Sequence, residues 1–497
     1  MNTGAGLAAI SLVVVATVLI GVYGLRVSRT TSDFMVASRS VPPALNASAI
    51  CGEYLSAASF LGVAGLVLLN GIDALWFPIG YTAGYLVLLV LVAAPLRRSG
   101  AYTLPDFAEE RLRSPQVRII TAVLVVVIGW LYLLPQLEGA SLTLATVTGA
   151  PRWAGATLVA VVVVVVVTAG GMRSITFTQA FQYAIKLVAI SVPAIVLIAV
   201  WRGHGTPDPF HGAWAEPLAP RQGRSHPLYT TYSLVLATFL GTMGLPHVLV
   251  RFYTNPDGRA ARRTTVAVLA LLGLFYLWPP VYAALGRVYT PDLANSATAA
   301  DTVVLVLPQR MVGGLGGELL GALVAAGAFA AFLSTASGLT VSVAGVLTQD
   351  LLKGGVRSFR LATVVAVLVP LGLTLGLRSL DLASAVGLAF AVAASTICPL
   401  LILGIWWSRL TVPGAVAGLA VGATLALAAV AATYLNIAER GWPAALLAQP
   451  AAWTVPLAFL SAITVSLLSP RRIPGHTPQL MLRLHAPEGL LAVESPV

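Results

Sequence analysis

A carboxylate, Glu53, lies in the middle of the apolar, small-residue stretch "ALNASAICGEYLSAASFLG" from Ala44 to Gly62. A bilayer is crossed by about 20 predominantly apolar residues, so this stretch is close to the length of one span. A charge at the membrane centre costs about 2.5–3.5 kcal/mol even on insertion scales, so such a residue indicates a functional site. Small and polar neighbours, Gly52, Ser56 and Ser59, predict that the helix opens here.

A second stretch, "FLGTMGLPHVLVRFYT", places Gly241, Gly244, Pro246 and His247 in succession inside another apolar run. Proline lacks a backbone N–H and clashes with the preceding turn, so the helix should kink there and free carbonyls that can bind a cation. Glycines alone are also typical of close helix packing in membranes. The polar residues near both sets of glycines favour binding sites.

A third stretch, "AFAAFLSTASGLTVSVAGVLTQDL", carries adjacent hydroxyls at Ser334 and Thr335, one turn after Ala331. Hydroxyl and carbonyl oxygens are hard donors, which suit Na⁺ as they suit other hard cations. The alternative is that both hydroxyls bond back to carbonyls of their own helix.

Two further ionisable residues allow more than one interpretation. Lys186 in a later span could pair with a carboxylate such as Glu138 or extend toward the outer surface. His247 could titrate near neutral pH and serve proton coupling, or it could hydrogen-bond a neighbouring helix.

Composition places these residues in a polytopic membrane protein. Of 497 residues, 58% are hydrophobic and 9% charged, and the mean hydropathy is +0.89. The net charge of +11 lies in loops between spans, so it indicates topology and not nucleic-acid binding. We expect a multi-pass protein of the cell membrane, with the lipid bilayer as a partner and no obligate protein partner. The apolar runs predict about thirteen transmembrane helices, at 5–25, 43–70, 74–96, 117–147, 153–171, 174–201, 230–253, 264–287, 311–349, 360–377, 382–406, 412–436 and 450–469.

The basic residues predict the orientation. Most of them fall on the cytoplasmic side if the N-terminus is outside, as the positive-inside rule requires. They include Arg26, Arg29, Arg97, Arg98, Arg118, Arg251, Lys353, Arg471 and Arg472. The first run lacks a preceding Lys or Arg and a cleavage site, which favours a true helix over a signal peptide. An odd helix count then places the C-terminus inside.

The two predicted breaks begin five spans apart, which is the spacing of a five-plus-five inverted repeat. The chain is then a single transmembrane transporter domain over residues 1–497. It has an extra N-terminal helix at 5–25, repeat one at 43–201, repeat two at 230–406, two extra helices at 412–469 and a cytoplasmic tail at 470–497. The external loop at about 202–229 is expected to pack on the outer face.

Other functional classes fit the sequence less well. An intramembrane enzyme needs a nucleophile with its base or a metal cluster in facing spans, and the sequence shows no such constellation, so we expect neither catalysis nor a cofactor beyond a coupling Na⁺. A sensor on this scaffold would need an appended signalling module. A channel would conduct ions without substrate, which an electrical recording can test.

Six motifs give the chain a family resemblance. They are "DFMVASRSVPP" (33–43), "GEYLSAASFLG" (52–62), "YTLPDFAEERL" (102–112), "GGMRS" (170–174), "GLPHVLVRFYT" (244–254) and the Ser334-Thr335 pair ahead of "LTQDL" (347–351). In order and spacing they resemble the sodium/solute symporter family, and most closely its acetate permease branch, over nearly the whole length. The resemblance implies an all-α, leucine-transporter-like fold. It also implies a Na⁺ held by carbonyls and hydroxyls of Gly52, Leu55, Ala331, Ser334 and Thr335.

Departures from the family pattern bear on the substrate. Sugar-carrying relatives place amide and acidic side chains after the sodium-binding stretch, where this chain has Tyr54, Ala58 and Ser59. Because unpaired buried hydroxyls cost about 1–3 kcal/mol each, a sugar is disfavoured. A small monocarboxylate such as acetate, propionate or pyruvate fits better, since helix N-termini at the breaks favour an anion. The candidate lining residues are Tyr54, Ser56, Ser59, Trp130, Gln136, Met243, Leu245 and His247.

The resemblance also bears on coupling. Many relatives have an aspartate, associated with a second sodium, where this chain has Gln179, so one Na⁺ per cycle is expected. The predicted function is inward Na⁺-coupled symport of a monocarboxylate by alternating access, with Glu53, Gln179 and Lys186 in supporting or coupling roles. Symport of another small solute such as proline, and coupling to protons through His247 and Glu53, remain open alternatives.

Overall fold

The computed structural model describes residues 3–23, 41–101, 103–210, 212–219, 226–352, 354–377, 380–438 and 440–486. These residues form helices and connecting turns, with no strand among them. Among the described residues, eleven helices are long and apolar enough to span a membrane, or twelve if the bent pair at residues 227–252 counts as one span. The count of thirteen and the orientation stay predictions. Arg26, Arg29, Lys353 and part of the "DFMVASRSVPP" motif lie outside the described residues.

The first half of the chain begins with α1 (Thr3–Tyr23) and α2 (Pro43–Tyr54). A π-helical turn (Ala58–Gly62) leads into α3 (Val63–Asn70), and Gly71, at φ 67°, ends that helix. The following helices are α4 (Trp76–Val87), α5 (Ala93–Arg98), α6 (Leu104–Leu112), α7 (Pro115–Thr148) and α8 (Arg152–Gly203). Within α8, Arg152–Gly170 and Ser174–Gly203 are separate candidate spans.

The second half of the chain begins with a broken helix at residues 227–252. Its helices are α9 (Pro227–Gly244), α10 (Pro246–Phe252), α11 (Gly258–Tyr276), α12 (Pro279–Tyr289), α13 (Ala297–Ala300), α14 (Val303–Val312), α15 (Gly314–Val346), α16 (Val356–Gly376), α17 (Leu382–Ser395) and α18 (Ile397–Trp406). A π-helical turn (Leu347–Leu351) extends α15, consistent with the long apolar run expected there. The last helices are α19 (Val412–Tyr434), α20 (Gly441–Ala448), α21 (Ala451–Leu468) and α22 (Thr477–His485).

The long helices α8 and α15 make the most extensive contact in the fold, and α2 packs against both. Glycine makes this closeness possible at one point. A Cβ on Gly52 would lie 2.1 Å from the carbonyl oxygen of Gln179, so only glycine lets α2 approach α8 so closely. The broken first helix is therefore held between α8 and α15.

Charged residues join three elements at one end of the helices. Arg118, at the start of α7, lies 2.6 Å from Asp350, 2.7 Å from Asp106 and 2.5 Å from Glu109. Asp106 and Glu109 belong to α6, and Asp350 to the π-helical turn after α15. These pairs hold α6, α7 and α15 together at the end predicted to face the cytoplasm.

In its described part, the segment between α8 and α9 packs against the helices, and its position on the outer face stays a prediction. The indole N–H of Trp214 donates to the carbonyls of Val67 and Leu68, and the Arg287 guanidinium lies 5.2 Å from the Trp214 ring centre. The segment thus covers the end of α3.

Candidate binding site at two helix breaks

Two of the interrupted helices are broken where their sequences predict. The first break comprises Leu55, Ser56 and Ala57, between α2 and the π-helical turn, where Leu55 has the non-helical angles φ −73° and ψ 85°. The second break is Leu245, where α9 and α10 meet at a bend of 44°. Pro246 cannot donate a backbone hydrogen bond to α9, which explains why a new helix, α10, begins at this position.

The first break leaves carbonyl groups without helical partners, and side chains from α8 and α15 bond them. Ser334 Oγ lies 2.6 Å from Gly52 O, and Thr335 Oγ1 donates to Glu53 O at 2.5 Å. Lys186 Nζ donates to Gly52 O, to Leu55 O at 2.7 Å and to Ser334 Oγ at 2.5 Å. The break is thus fixed by partners that are distant in sequence.

Lys186 is fully buried. Neither position expected for the Lys186 amine from the sequence is correct. Glu138 lies 3.6 Å from Arg152, and the amine points inward to the first break and not outward to the surface. The reason is that carbonyls freed by the break offer the ammonium a full set of acceptors inside the protein.

The five residues predicted to bind sodium do come together around the first break. Ser334 Oγ lies 3.0 Å from Ala331 O in addition to its contact with Gly52 O. Thr335 bonds the neighbouring carbonyl, that of Glu53. The Lys186 amine contacts three of the expected oxygens, so those oxygens cannot hold Na⁺ while the amine lies among them.

Glu53 is paired with Arg251, which the sequence analysis counted on the cytoplasmic side at the end of the predicted span 230–253. Arg251, at the end of α10, is 1% exposed, and its Nε donates to Glu53 Oε2 at 2.8 Å. The same guanidinium donates to Thr176 Oγ1 at 2.8 Å and to Gln179 Oε1. The sequence analysis used Arg251 only as a marker of topology, whereas in the structure its guanidinium compensates a buried carboxylate.

Gln179 connects this ion pair to α15. Its side-chain oxygen accepts from Arg251 and its amide nitrogen donates to Ser334 O at 2.9 Å. Space for the Glu53 carboxylate comes from Gly338 of α15, where a Cβ would lie 2.0 Å from Glu53 Oε1. Glu53 therefore joins α2, α8, α10 and α15 through one buried network.

A set of buried polar side chains lies between the two breaks, and we call it the donor cluster. Within it the Tyr132 hydroxyl lies close to Ser56 and Tyr81, and its ring centre is 5.2 Å from that of His247. None of these groups makes a geometrically well-formed side-chain hydrogen bond to another described residue. The cluster comprises Ser56 Oγ, the hydroxyls of Tyr81, Tyr85 and Tyr132, and both ring nitrogens of His247.

Aromatic rings pack tightly around the donor cluster. Tyr54 lies edge-on to Tyr81 and Tyr85, at centroid distances of 5.1 and 4.8 Å, and its hydroxyl lies 2.8 Å from Thr242 Oγ1. Phe390 of α17 lies 4.5 Å from the Tyr81 ring and 5.7 Å from the Tyr132 ring. This packing favours a compact ligand.

The other predicted lining residues divide between the cluster and its surroundings. Gln136 accepts a hydrogen bond from Ala57 N at 2.9 Å, which fixes the first break. Ser59 Oγ lies 2.9 Å from the Tyr276 hydroxyl. Leu245 forms the second break, whereas the described contacts do not link Trp130 or Met243 to the cluster.

Sequence reasoning missed Tyr81, Tyr85, Tyr132, Phe390 and Arg251. One signal was present: Tyr81 and Tyr85 are four residues apart, as are Tyr132 and Gln136, and residues at that spacing share a helix face. Such spacing alone does not separate a binding face from a packing face.

A small cavity of about 30 Å³ lies beside the second break. Its lining includes Pro246, Val250, Thr103 and Gln349, so it extends from α10 toward the end that the Arg118 ion pairs hold together.

The sequence profile of the Sodium:solute symporter family matches residues 34–422. The chain belongs to this family. The symporter is 32% identical over 478 residues to an uncharacterized symporter, YwcA, of Bacillus subtilis, with 91% of this chain and 92% of that protein covered. It is 31% identical over 500 residues to a monocarboxylic acid transporter of Corynebacterium glutamicum, at 91% and 90% coverage.

Solved structures place the symporter in the leucine-transporter-like fold. A Na⁺-coupled sialic acid symporter in a substrate-bound outward-open state matches with a TM-score of 0.72 at 15% identity, over 93% of this chain and 97% of that one. MhsT in complex with L-phenylalanine matches with a TM-score of 0.58 at 16% identity, over 85% and 99%. The chain is thus a multi-pass membrane symporter and not an enzyme.

Proposed function

We propose that this symporter takes up a small monocarboxylate, such as acetate, propionate or pyruvate, together with a cation by alternating access. The donor cluster carries the proposal. Tyrosine and serine hydroxyls and one histidine N–H can all donate to a carboxylate, and each is buried at the breaks without a partner of good geometry among the described residues. A buried polar group left unpaired costs about 1–3 kcal/mol, so a ligand that pairs several of them gains accordingly.

Charge in the site favours an anion. Arg251 is paired with Glu53, and Lys186 contacts only neutral oxygens among its described partners. When Arg251, Glu53 and Lys186 are all ionised, their net charge is +1. An anion bound between the breaks offsets that excess in surroundings of low dielectric constant, where such an interaction is strong.

Size and homology restrict the anion further. The rings of Tyr54, Tyr81 and Tyr132 all pack against Phe390, so a short acid fits with less rearrangement than a sugar. The Corynebacterium glutamicum relative is named for monocarboxylic acids, and it covers 91% of this chain.

The coupling cation has two candidates. Na⁺ is expected from the family resemblance, and one observation favours the proton instead: an amine, that of Lys186, lies on the oxygens expected for Na⁺. We therefore propose proton-coupled monocarboxylate symport as the second candidate, with the same anion and the same alternating access. In either case opening toward the predicted cytoplasmic end requires that the Arg118 ion pairs separate.

Competition for uptake tests the substrate. In proteoliposomes, acetate and propionate should inhibit uptake of labelled pyruvate, whereas proline and glucose should not. Tyr132→Phe removes the hydroxyl at the centre of the donor cluster. Hydrogen bonds to charged groups are worth about 1.5–3 kcal/mol, so KM for pyruvate should rise roughly 10- to 100-fold.

Tyr229→Phe is the matched control, because its hydroxyl donates to Gln449 O and does not belong to the donor cluster. It should leave KM unchanged. If proline inhibited pyruvate uptake as strongly as acetate does, the substrate would be another small solute and not a monocarboxylate. Equal KM values for Tyr132→Phe and wild type would show that the donor cluster does not bind the substrate.

A further inference from the structure

We infer that the ammonium of Lys186 is the resident cation of the first break, and that this symporter binds no Na⁺ there. The absence of Na⁺ binding at the first break does not depend on the proposed function. Its consequence, that monocarboxylate uptake needs no Na⁺, does rest on the proposed function. The family resemblance by itself implies the opposite.

The number of donors matches the number of acceptors. An ammonium has three N–H groups, and Lys186 Nζ has three oxygen neighbours, namely Gly52 O, Leu55 O and Ser334 Oγ. Two are backbone carbonyls freed by the first break, and the third is a hydroxyl of α15. The break therefore presents to Lys186 the oxygens that a hard cation would otherwise require.

Space excludes a second cation. Hard cations such as Ca²⁺ lie roughly 2.3–2.6 Å from their oxygen ligands. Lys186 Nζ lies 2.7 Å from Leu55 O and 2.5 Å from Ser334 Oγ, so it occupies nearly the point where a metal ion bound to these oxygens would be. An ion displaced from that point would lose ligands.

Charge excludes it as well. Like charges a few ångströms apart repel strongly where the effective dielectric constant is low. The Glu53 carboxylate pairs directly with Arg251, so it is not available to neutralise both Lys186 and Na⁺. Lys186 and Na⁺ are therefore alternatives for this site.

Like a bound ion, the Lys186 side chain connects the helices around the first break. It links the first break to α8, through its own backbone, and to α15, through Ser334. Unlike an ion, it cannot dissociate into either compartment, because it is covalently attached to α8. Opening of the first break then requires a movement of the Lys186 side chain instead of ion release.

Binding of ²²Na⁺ to the purified full chain tests the inference without any transport measurement. Wild type should show no saturable Na⁺ binding, and its apparent Tm should be equal in NaCl and in choline chloride. Lys186→Ala removes the amine and leaves Gly52 O, Leu55 O and Ser334 Oγ free, so it should gain saturable binding of one Na⁺ per chain. Adding Ser334→Ala to this variant should abolish the gain.

Lys186→Met is the matched control, since it fills a similar volume without charge or N–H donors, and it should bind no Na⁺. Saturable Na⁺ binding by wild type that Ser334→Ala abolishes would overturn the inference. A monodisperse Lys186→Ala protein that binds no Na⁺ would overturn it too. Pyruvate uptake by wild type should be equal in Na⁺ and choline; absence of uptake in both would refute the proposed function and leave the Na⁺-binding result standing.

Discussion

Arg251→Ala is expected to prevent accumulation of folded symporter, or to lower its apparent Tm strongly. The substitution leaves the Glu53 carboxylate buried without its cation, and it removes the donors to Thr176 and Gln179. Removal of one partner from a buried ion pair typically costs about 3–5 kcal/mol, because the remaining charge is uncompensated. The measurement is the folded fraction in detergent by gel filtration, together with the apparent Tm.

Arg310→Ala provides the matched control. Arg310 also pairs with a carboxylate, Asp292 at 2.7 Å, but both side chains are more than 40% exposed. Exposed pairs are worth about 0–1 kcal/mol, so this variant should behave like wild type. Adding Glu53→Gln to Arg251→Ala should recover part of the loss, since it removes the unpaired charge. Equal stability of Arg251→Ala and wild type would mean that Glu53 needs no counter-charge.

Gly52→Ala is expected to be the second severe substitution. Its Cβ would lie 2.1 Å from Gln179 O and 2.8 Å from Gln179 C, and these are backbone atoms that no rotamer change can move away. Overpacking of this kind costs about 1–3 kcal/mol or more. Because α2 must shift away from α8, the Lys186 contacts to Gly52 O and Leu55 O should lengthen, and pyruvate uptake should be lost even where the protein folds.

Gly273→Ala is the control for Gly52→Ala. Gly273 lies in α11, and nothing lies within 4 Å of its added Cβ. Alanine is favoured over glycine in a helix by about 1 kcal/mol, so this variant should be as stable as wild type or slightly more stable, with full uptake. Full uptake by Gly52→Ala would show that the close contact between α2 and α8 is not required.

The sequence was sufficient for features that depend on local composition. Hydropathy predicted an all-α membrane protein, and Gly52 with Glu53, and Gly244 with Pro246, predicted the two breaks. The structure confirms both, at Leu55 and at Leu245. The break at Thr396, between α17 and α18, was not predicted, although Pro399 follows it by three residues.

Features that depend on distant pairing could not be predicted. Lys186 reaches Leu55 across 131 positions, and Arg251 reaches Glu53 across 198, and no local pattern specifies either partner. A lysine within a span has several possible partners. An arginine at the end of a span usually indicates only which side of the membrane that end faces. Only the packing of α2, α8, α10 and α15 brings these groups together.

Counterflow tests the central claim most directly, because exchange of one substrate for another needs no cation gradient and so does not depend on which cation is coupled. Proteoliposomes loaded with unlabelled pyruvate, and with equal ions and pH on both sides, should transiently accumulate external labelled pyruvate. Internal acetate or propionate should also support accumulation, and internal glucose should not. Failure of every internal monocarboxylate to drive accumulation, in protein that is folded by gel filtration, would contradict monocarboxylate transport through this site.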